Sequence, residues 1–353
     1  MITVNKNEFL TGIKAIKSSC GKGELNPILN TINLKTIGQG IQLTTTDCTN
    51  SARTTIEANV TEQIDICINA DKLENIVNAL DSIITVDLKD VVATIKSGRT
   101  HFDIVILSSE DFPQPKFDLS EDKITLSKDD FVKGINKTVI STATEVQNLL
   151  NGICFTFTEK GYEMAATDGN RLSQVKFDAV VGKEGQYVIP HSVLSNVAKC
   201  VQDNIEIYFE SNRVIFKTGS YLYCTNLFSG TFPKYQQLIP QNQPNIAKIK
   251  RTELLKSLEK VAIMSDNRTN ITVFQFNKSD LYLTTSCDGG KAEDTIQIDF
   301  DNELKMAFNF RFILEGIKAM QSDIVEFQMS SDKGACLLKG DFIYLVMPIV
   351  IKE

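Results

Sequence analysis

Asp168 and Arg171 stand three apart in the run Met164–Ser173, MAATDGNRLS, with Gly169 and Asn170 between them. A carboxylate and a guanidinium at that spacing can do two things. They can act as an acid beside an anion clamp, with Asp47 and Asp288 from similar runs as further carboxylates. Or they can belong to a turn, where glycine permits a positive φ and aspartate bonds its own backbone. The other reactive residues bear on the choice. His101 and His191 are the only histidines, which leaves little for histidine-based triads or multi-histidine metal sites, and each reads as a surface residue. The cysteines, at 20, 48, 67, 154, 200, 224, 287 and 336, include no Cys-x-x-Cys pair, so no zinc ribbon is expected. No Gly-x-Gly-x-x-Gly or Walker-type loop occurs, so neither a nucleotide cofactor nor a metal is expected.

These residues need elements to position them. A chain of 353 residues predicts two or three domains, each large enough for its own core. Its net charge of -7 excludes gripping nucleic acid with the whole surface, so any such contact must be local. Met1 leads into TVNKNEFL without an apolar leader core, and no apolar run approaches the length of a membrane span. A cytoplasmic protein with reduced thiols is expected.

The chain repeats itself. VNKNEFLTGI from Val4, LSKDDFVKGI from Leu126 and IKRTELLKSL from Ile249 open three similar segments, with Glu8, Asp130 and Glu253 in register at steps of 122 and 123. LTTTDCTNSA from Leu43, MAATDGNRLS and LTTSCDGGKA from Leu283 follow at steps of 121 and 119. Leu73/Ile76/Val77/Leu80, Leu194/Val197/Ala198/Val201 and Ile313/Gly316/Ile317/Met320 all keep the spacing of one helix face, again at 121 and 119. Three homologous domains are predicted, 1–119, 120–243 and 244–353. Each unit reads as helix, strands, helix, strands. An amphipathic helix over Asp129–Thr138 carries Phe131, Val132 and Ile135 on one face, and Ser211-Asn212 forms a hairpin tip. The class is α+β, with two helices packed on antiparallel sheet in each domain. SSEDFPQPKFDLSED and GTFPKYQQLIPQNQPN, rich in proline and polar residues, read as extended connectors.

The repeat settles much about Asp168. Its equivalents, Asp47 and Cys287, do not preserve an acid, and no nucleophile–base pair accompanies them, so catalysis is not expected.

The three two-helix repeats, ATDGNRLS, FPKYQQLIP and the terminal YLVMPIVI together resemble the DNA polymerase III beta subunit family, the bacterial sliding clamps, over the whole chain. The resemblance implies a DNA clamp fold and a non-catalytic processivity factor. It implies a head-to-tail homodimeric ring around duplex DNA, with helices inside and sheets outside. It also implies a groove for short hydrophobic peptides of polymerase and clamp-loader subunits. The matching positions are Leu150, Thr167, Gly169, Asn170, Arg171, Leu172, Pro240, Leu345, Val346, Met347, Pro348 and Ile349. Asn170 stands where the family commonly has histidine, and the chain runs on past Ile349 with Val350, Ile351, Lys352 and Glu353.

Helix lysines suit sequence-independent phosphate contacts: Lys14, Lys17, Lys72, Lys133, Lys137, Lys199, Lys256, Lys260 and Lys318. Lys22 lies one position off a basic residue that the family carries in a glycine-rich loop. His191 and Ser192 follow Pro190 where the family often has basic residues. The resemblance sets Phe102 and Ile104 against Ile263 and Met264 of the other protomer. A repeat scaffold that binds proteins without encircling DNA is the alternative, and it would not need those lysines.

Overall fold

The computed structural model describes residues 1–23, 25–120, 122–144, 148–266 and 268–350. Six α-helices occur among them: α1 (Lys6–Ile16), α2 (Ala70–Ala79), α3 (Lys128–Thr138), α4 (His191–Cys200), α5 (Arg251–Val261) and α6 (Phe310–Ala319). Local chemistry starts several of them. The Asn5 side chain accepts from the Asn7 amide at 2.9 Å, Asn69 from Lys72 at 3.0 Å and Asn309 from Arg311 at 3.0 Å, so amides left over at the helix start are satisfied. Each helix buries one stripe, such as Phe9, Ile13 and Ile16 in α1 or Ile313 and Ile317 in α6. No helix of the described residues is long and apolar enough to cross a membrane.

The chain divides into two compact units, Met1–Val132 with Ser192–Phe228, and Lys133–His191 with Ser229–Glu353. The first unit holds two antiparallel sheets. Five strands run in the order Asn59–Val60, Ile2–Asn5, Ile83–Lys89, Val92–Ser97, Thr100–Val105. Nine run in the order Leu107–Ser108, Asp65–Asn69, Thr31–Ile37, Gly40–Thr46, Asn50–Glu57, Tyr221–Asn226, Arg213–Thr218, Ile205–Phe209, Lys123–Leu126. The second unit repeats the plan. Its eight-stranded sheet orders Gly185–Pro190, Gly152–Thr158, Gly161–Thr167, Arg171–Phe177, Ile343–Val346, Cys336–Lys339, Ile324–Met329, Asn245–Lys250. Four further strands order Gly290–Gln297, Asp280–Cys287, Ile271–Asn277, Glu303–Asn309.

The large sheets do not stop at the repeats. Strand Asn50–Glu57 of the first repeat pairs with Tyr221–Asn226 of the second, through Asn50 opposite Thr225. Strand Arg171–Phe177 of the second pairs with Ile343–Val346 of the third, through Arg171 opposite Val346. A self-contained sheet in each repeat would leave edge strands with free amides and carbonyls, and pairing across the repeats removes them.

One repeated small residue explains how helix and sheet come close. Gly12, Gly134 and Ser257 occupy equivalent places in α1, α3 and α5, and all are buried. A Cβ on Gly12 would meet Ile56 at 2.6 Å, and one on Gly134 would collide with the Met164 sulfur. All eight cysteines are unpaired, and no group of three or more His, Cys, Asp or Glu among the described residues could hold a metal ion. His101 is exposed, as expected, but His191 is half-buried and shares a hydrogen bond between Nδ1 and the Asn151 carbonyl at 2.7 Å.

Candidate functional site

The turn at Asp168 has its own local logic. The Asp168 carboxylate accepts from the Asn170 amide at 2.9 Å and the Arg171 amide at 3.0 Å. Thr167 Oγ1 donates to the Arg171 carbonyl at 2.7 Å, and Gly169 takes φ 91°. The first repeat builds the same turn. Asp47 accepts from Thr49 at 2.8 Å and Asn50 at 2.6 Å, and Cys48 occupies the left-handed position at φ 73°. Asp168 is therefore a turn former.

This turn lies at one end of the eight-stranded sheet. Strand Gly161–Thr167 ends there, Arg171–Phe177 begins and Ile343–Val346 ends. Leu150 precedes strand Gly152–Thr158, which starts at the same end because Cys154 lies opposite Ala165. Beyond Val346 the chain stays attached: the Met347 amide donates to the Asn170 carbonyl at 2.8 Å and the Ile349 amide to Ala307 at 2.7 Å.

Strand alternation then sorts the residues expected in the groove by face. Thr167 lies opposite Leu172, and Leu172 opposite Leu345, so these three share a face, which also carries Glu163 and Gln174. The connector crosses on that side, where buried Tyr235 donates its hydroxyl to Glu163 and Gln236 bonds Glu163 at 3.0 Å. Half-buried Pro240 follows five residues later. Met347 is 45% exposed. Gly169 and Asn170 are exposed, and Leu150, Pro348 and Ile349 are half-buried. Leu172, at 1% exposure, is floor rather than wall.

The opposite face carries Tyr344, against which α6 packs at Gly316, and Val346, fully buried in the core of the second unit. Two expectations are corrected here. Val346 cannot line a groove, because its place in the alternation points it into that core. Arg171 is not a free wall: its side chain is 10% exposed. Its Nε donates to Asp168 at 2.9 Å, its Nη1 pairs with Glu315 of α6, and its guanidinium lies 4.2 Å from the Phe312 ring centre. Glu315 and Phe312 have no local signal, since they stand over a hundred residues away in sequence; Glu315 is 144 positions on.

The lysines divide likewise. Lys14, Lys72, Lys133, Lys199, Lys256 and Lys318 are exposed, one on each helix, and Lys22 is exposed in its loop. Lys318 reaches Glu259 at 3.0 Å, and Lys260 reaches Asp294 at 3.1 Å. Lys17 is partly buried between Asp71 and Glu74, at 2.5 Å from each, and their hydrogen bonds raise its pKa. Lys137 corrects the expectation outright. Its side chain is 3% exposed, pairs with Asp341 and stands 5.4 Å from the Phe342 ring centre, so it cannot reach a phosphate.

Of the four residues expected at an interface between protomers, Ile263 is 80% exposed, Phe102 and Met264 are half-buried, and Ile104 is buried within its own unit, so Ile104 offers no free surface. Phe102 lies on the edge strand Thr100–Val105 of its sheet, and Met264 reaches Gly290 at the start of the edge strand Gly290–Gln297. Ile351, Lys352 and Glu353, by which the chain runs on past Ile349, lie outside the described residues.

Comparison with known proteins agrees along the chain. Models of the N-terminal, central and C-terminal domains of the DNA polymerase III beta subunit match residues 1–116, 125–234 and 236–349. A beta sliding clamp of Synechococcus elongatus is 25% identical over the full length of both chains. One from Chlamydia muridarum is 22% identical over 99% of each. The solved DNA polymerase III beta subunit of Thermotoga maritima superposes with a TM-score of 0.93 at 21% identity, covering 99% of both chains. A Pseudomonas aeruginosa DnaN sliding clamp bound to griselimycin superposes at 0.91, with 21% identity and the same coverage.

Proposed function

The chain belongs to the DNA polymerase III beta subunit family and is a DNA sliding clamp of DNA replication, and we propose that it works as a closed homodimer around duplex DNA. In this reading it is cytoplasmic, has no catalytic role and needs no cofactor. Its domains are 1–119, 120–243 and 244–353.

One observation carries the DNA contact: an exposed lysine stands on every one of the six helices, although the net charge is -7. Lysine stems reach phosphate without reading base edges, so such contacts hold a duplex and still let it slide. Lys22 and Lys260 add to the set, Lys17 contributes through its side chain, which is 30% exposed, and Lys137 does not belong to it.

Ring closure is proposed between free edges. Strand Thr100–Val105 ends one sheet and Gly290–Gln297 another. Pairing them head to tail between two protomers would remove both edges and cover Ile263, Phe102 and Met264.

Polymerase and clamp-loader subunits dock short extended peptides at the sheet end beside the connector. Met347, Leu345, Ile349, Pro348, Pro240 and Leu150 give apolar contact, and Asn170, Gly169 and Thr167 give backbone polarity. Arg171 holds the turn through Asp168 and Glu315, so the slot is formed before a peptide arrives.

The test is retention on nicked circular duplex after loading, followed by linearisation. Wild-type protein is expected to stay on circles and leave linear DNA. Substituting Lys14, Lys133, Lys199 and Lys256 by serine should lower retention and flatten its salt dependence, by up to about one unit of slope per lost phosphate contact. Equal retention on linear and circular DNA, or none on either, would overturn the ring and favour a scaffold that binds proteins alone.

A further inference from the structure

A cavity of about 490 Å³ opens in the first unit between α1 and α4. Lys14 and Ala15 line it from α1, Asn196, Lys199 and Cys200 from α4, and Tyr221 from the adjoining strand. No aspartate or glutamate lines it, and among the described residues neither lysine has an ion-pair partner. Two unneutralised ammonium groups from different helices in an acidic protein call for an anion.

The repeat shows why the space is open. Ala15, Ser220 and Tyr221 correspond to Lys137, Asp341 and Phe342 in the second unit, at steps of 122 and 121. There Lys137 lies over the Phe342 ring and pairs with Asp341, whose other oxygen accepts from the Gln321 amide at 3.0 Å. The protein's own cation and anion occupy that place. In the first unit the side chain at 15 ends at Cβ and Ser220 carries no charge, so the room remains and Lys14 and Lys199 stand at its rim.

We propose that this cavity binds a small phosphate ester of nucleotide size. The two ammonium groups, with the Asn196 amide, hold the dianionic phosphate by charge-assisted hydrogen bonds, and Tyr221 and Val201 give an apolar wall for a flat ring. The volume falls in the range of small-ligand sites and exceeds what a single backbone phosphate fills. Duplex DNA offers the same phosphate chemistry, so the experiment separates the two sources. The proposal does not depend on ring closure.

Cys200, half-buried in the lining, is the reporter. The full chain is treated with iodoacetamide in the presence of deoxyadenosine monophosphate, inorganic phosphate or a duplex oligonucleotide. Alkylation of Cys200 and of exposed Cys48 is followed by peptide mass mapping, and mononucleotide affinity by calorimetry. The mononucleotide should slow Cys200 and leave Cys48 unchanged. Lys14→Gln with Lys199→Gln should weaken binding at least about tenfold, through the loss of two charge-assisted bonds. Ala15→Lys with Ser220→Asp copies the second unit and should abolish binding while retention on circular DNA persists. If that pair does not fold, Ala15→Met fills the same space and should weaken binding. Protection of Cys200 by the duplex but not by the mononucleotide, or by neither, overturns the proposal.

Discussion

Met347 and Val346 are neighbours in sequence with opposite expected roles, and replacing each by alanine tests the face assignment. Val346 points into a core, so Val346→Ala should lower stability by roughly 1–3 kcal/mol and leave peptide affinity near wild type. Met347 is 45% exposed, and its link to the turn runs through its backbone amide, which alanine keeps. Fully burying a methionine side chain is worth about 1.5–3 kcal/mol, so covering the exposed part is worth about 1 kcal/mol. Met347→Ala should therefore raise the Kd of a partner peptide about fivefold with an unchanged unfolding midpoint. The assay is fluorescence anisotropy of a labelled polymerase-tail peptide, run beside denaturant unfolding. Wild-type affinity in Met347→Ala together with weakened binding in a folded Val346→Ala would refute the assignment.

Four further outcomes follow from the geometry. Asp341→Asn strands the buried Lys137 ammonium and should cost about 3 kcal/mol, measured by the unfolding midpoint, whereas adding Lys137→Met should recover most of it; a cost below about 0.5 kcal/mol would contradict the buried pair. Burial pushes the Asp341 carboxyl up, but Lys137 and the Gln321 amide outweigh that and hold it below its ordinary 3.8. Its contribution should be complete above about pH 5 and fade as the pH drops through that lowered value; stability insensitive to Asp341→Asn at neutral pH but not in acid would reverse the sign. Gly316→Ala would drive a Cβ into the fully buried Tyr344 ring and should destabilise by about 1–3 kcal/mol despite the better helix propensity; a raised midpoint would count against the close approach. Ile263→Asp with Met264→Asp should convert the proposed dimer to monomer by mass measurement, and a persisting dimer would remove Ile263 and Met264 from the proposed interface.

The sequence by itself determined what local chemistry decides. The helix faces such as Leu73 and Val77 and the Asp168 turn rest on residues within a few positions of one another, and the threefold period is the recurrence of such local patterns at steps of 119 to 123. A carboxylate bonding amides two and three residues on needs no distant partner. Tertiary structure decided which side of a pattern faces what. Lys133 and Lys137 look alike at helical spacing, yet Asp341 and Phe342, some two hundred residues on, bury one and leave the other exposed. Arg171 and Leu172 are adjacent, and only the strand register with Ile343–Val346 sends the first toward α6 and the second toward the connector. The joining of consecutive repeats into common sheets was equally invisible, because a strand's hydrophobic pattern fixes which face it buries but not which edge it pairs with.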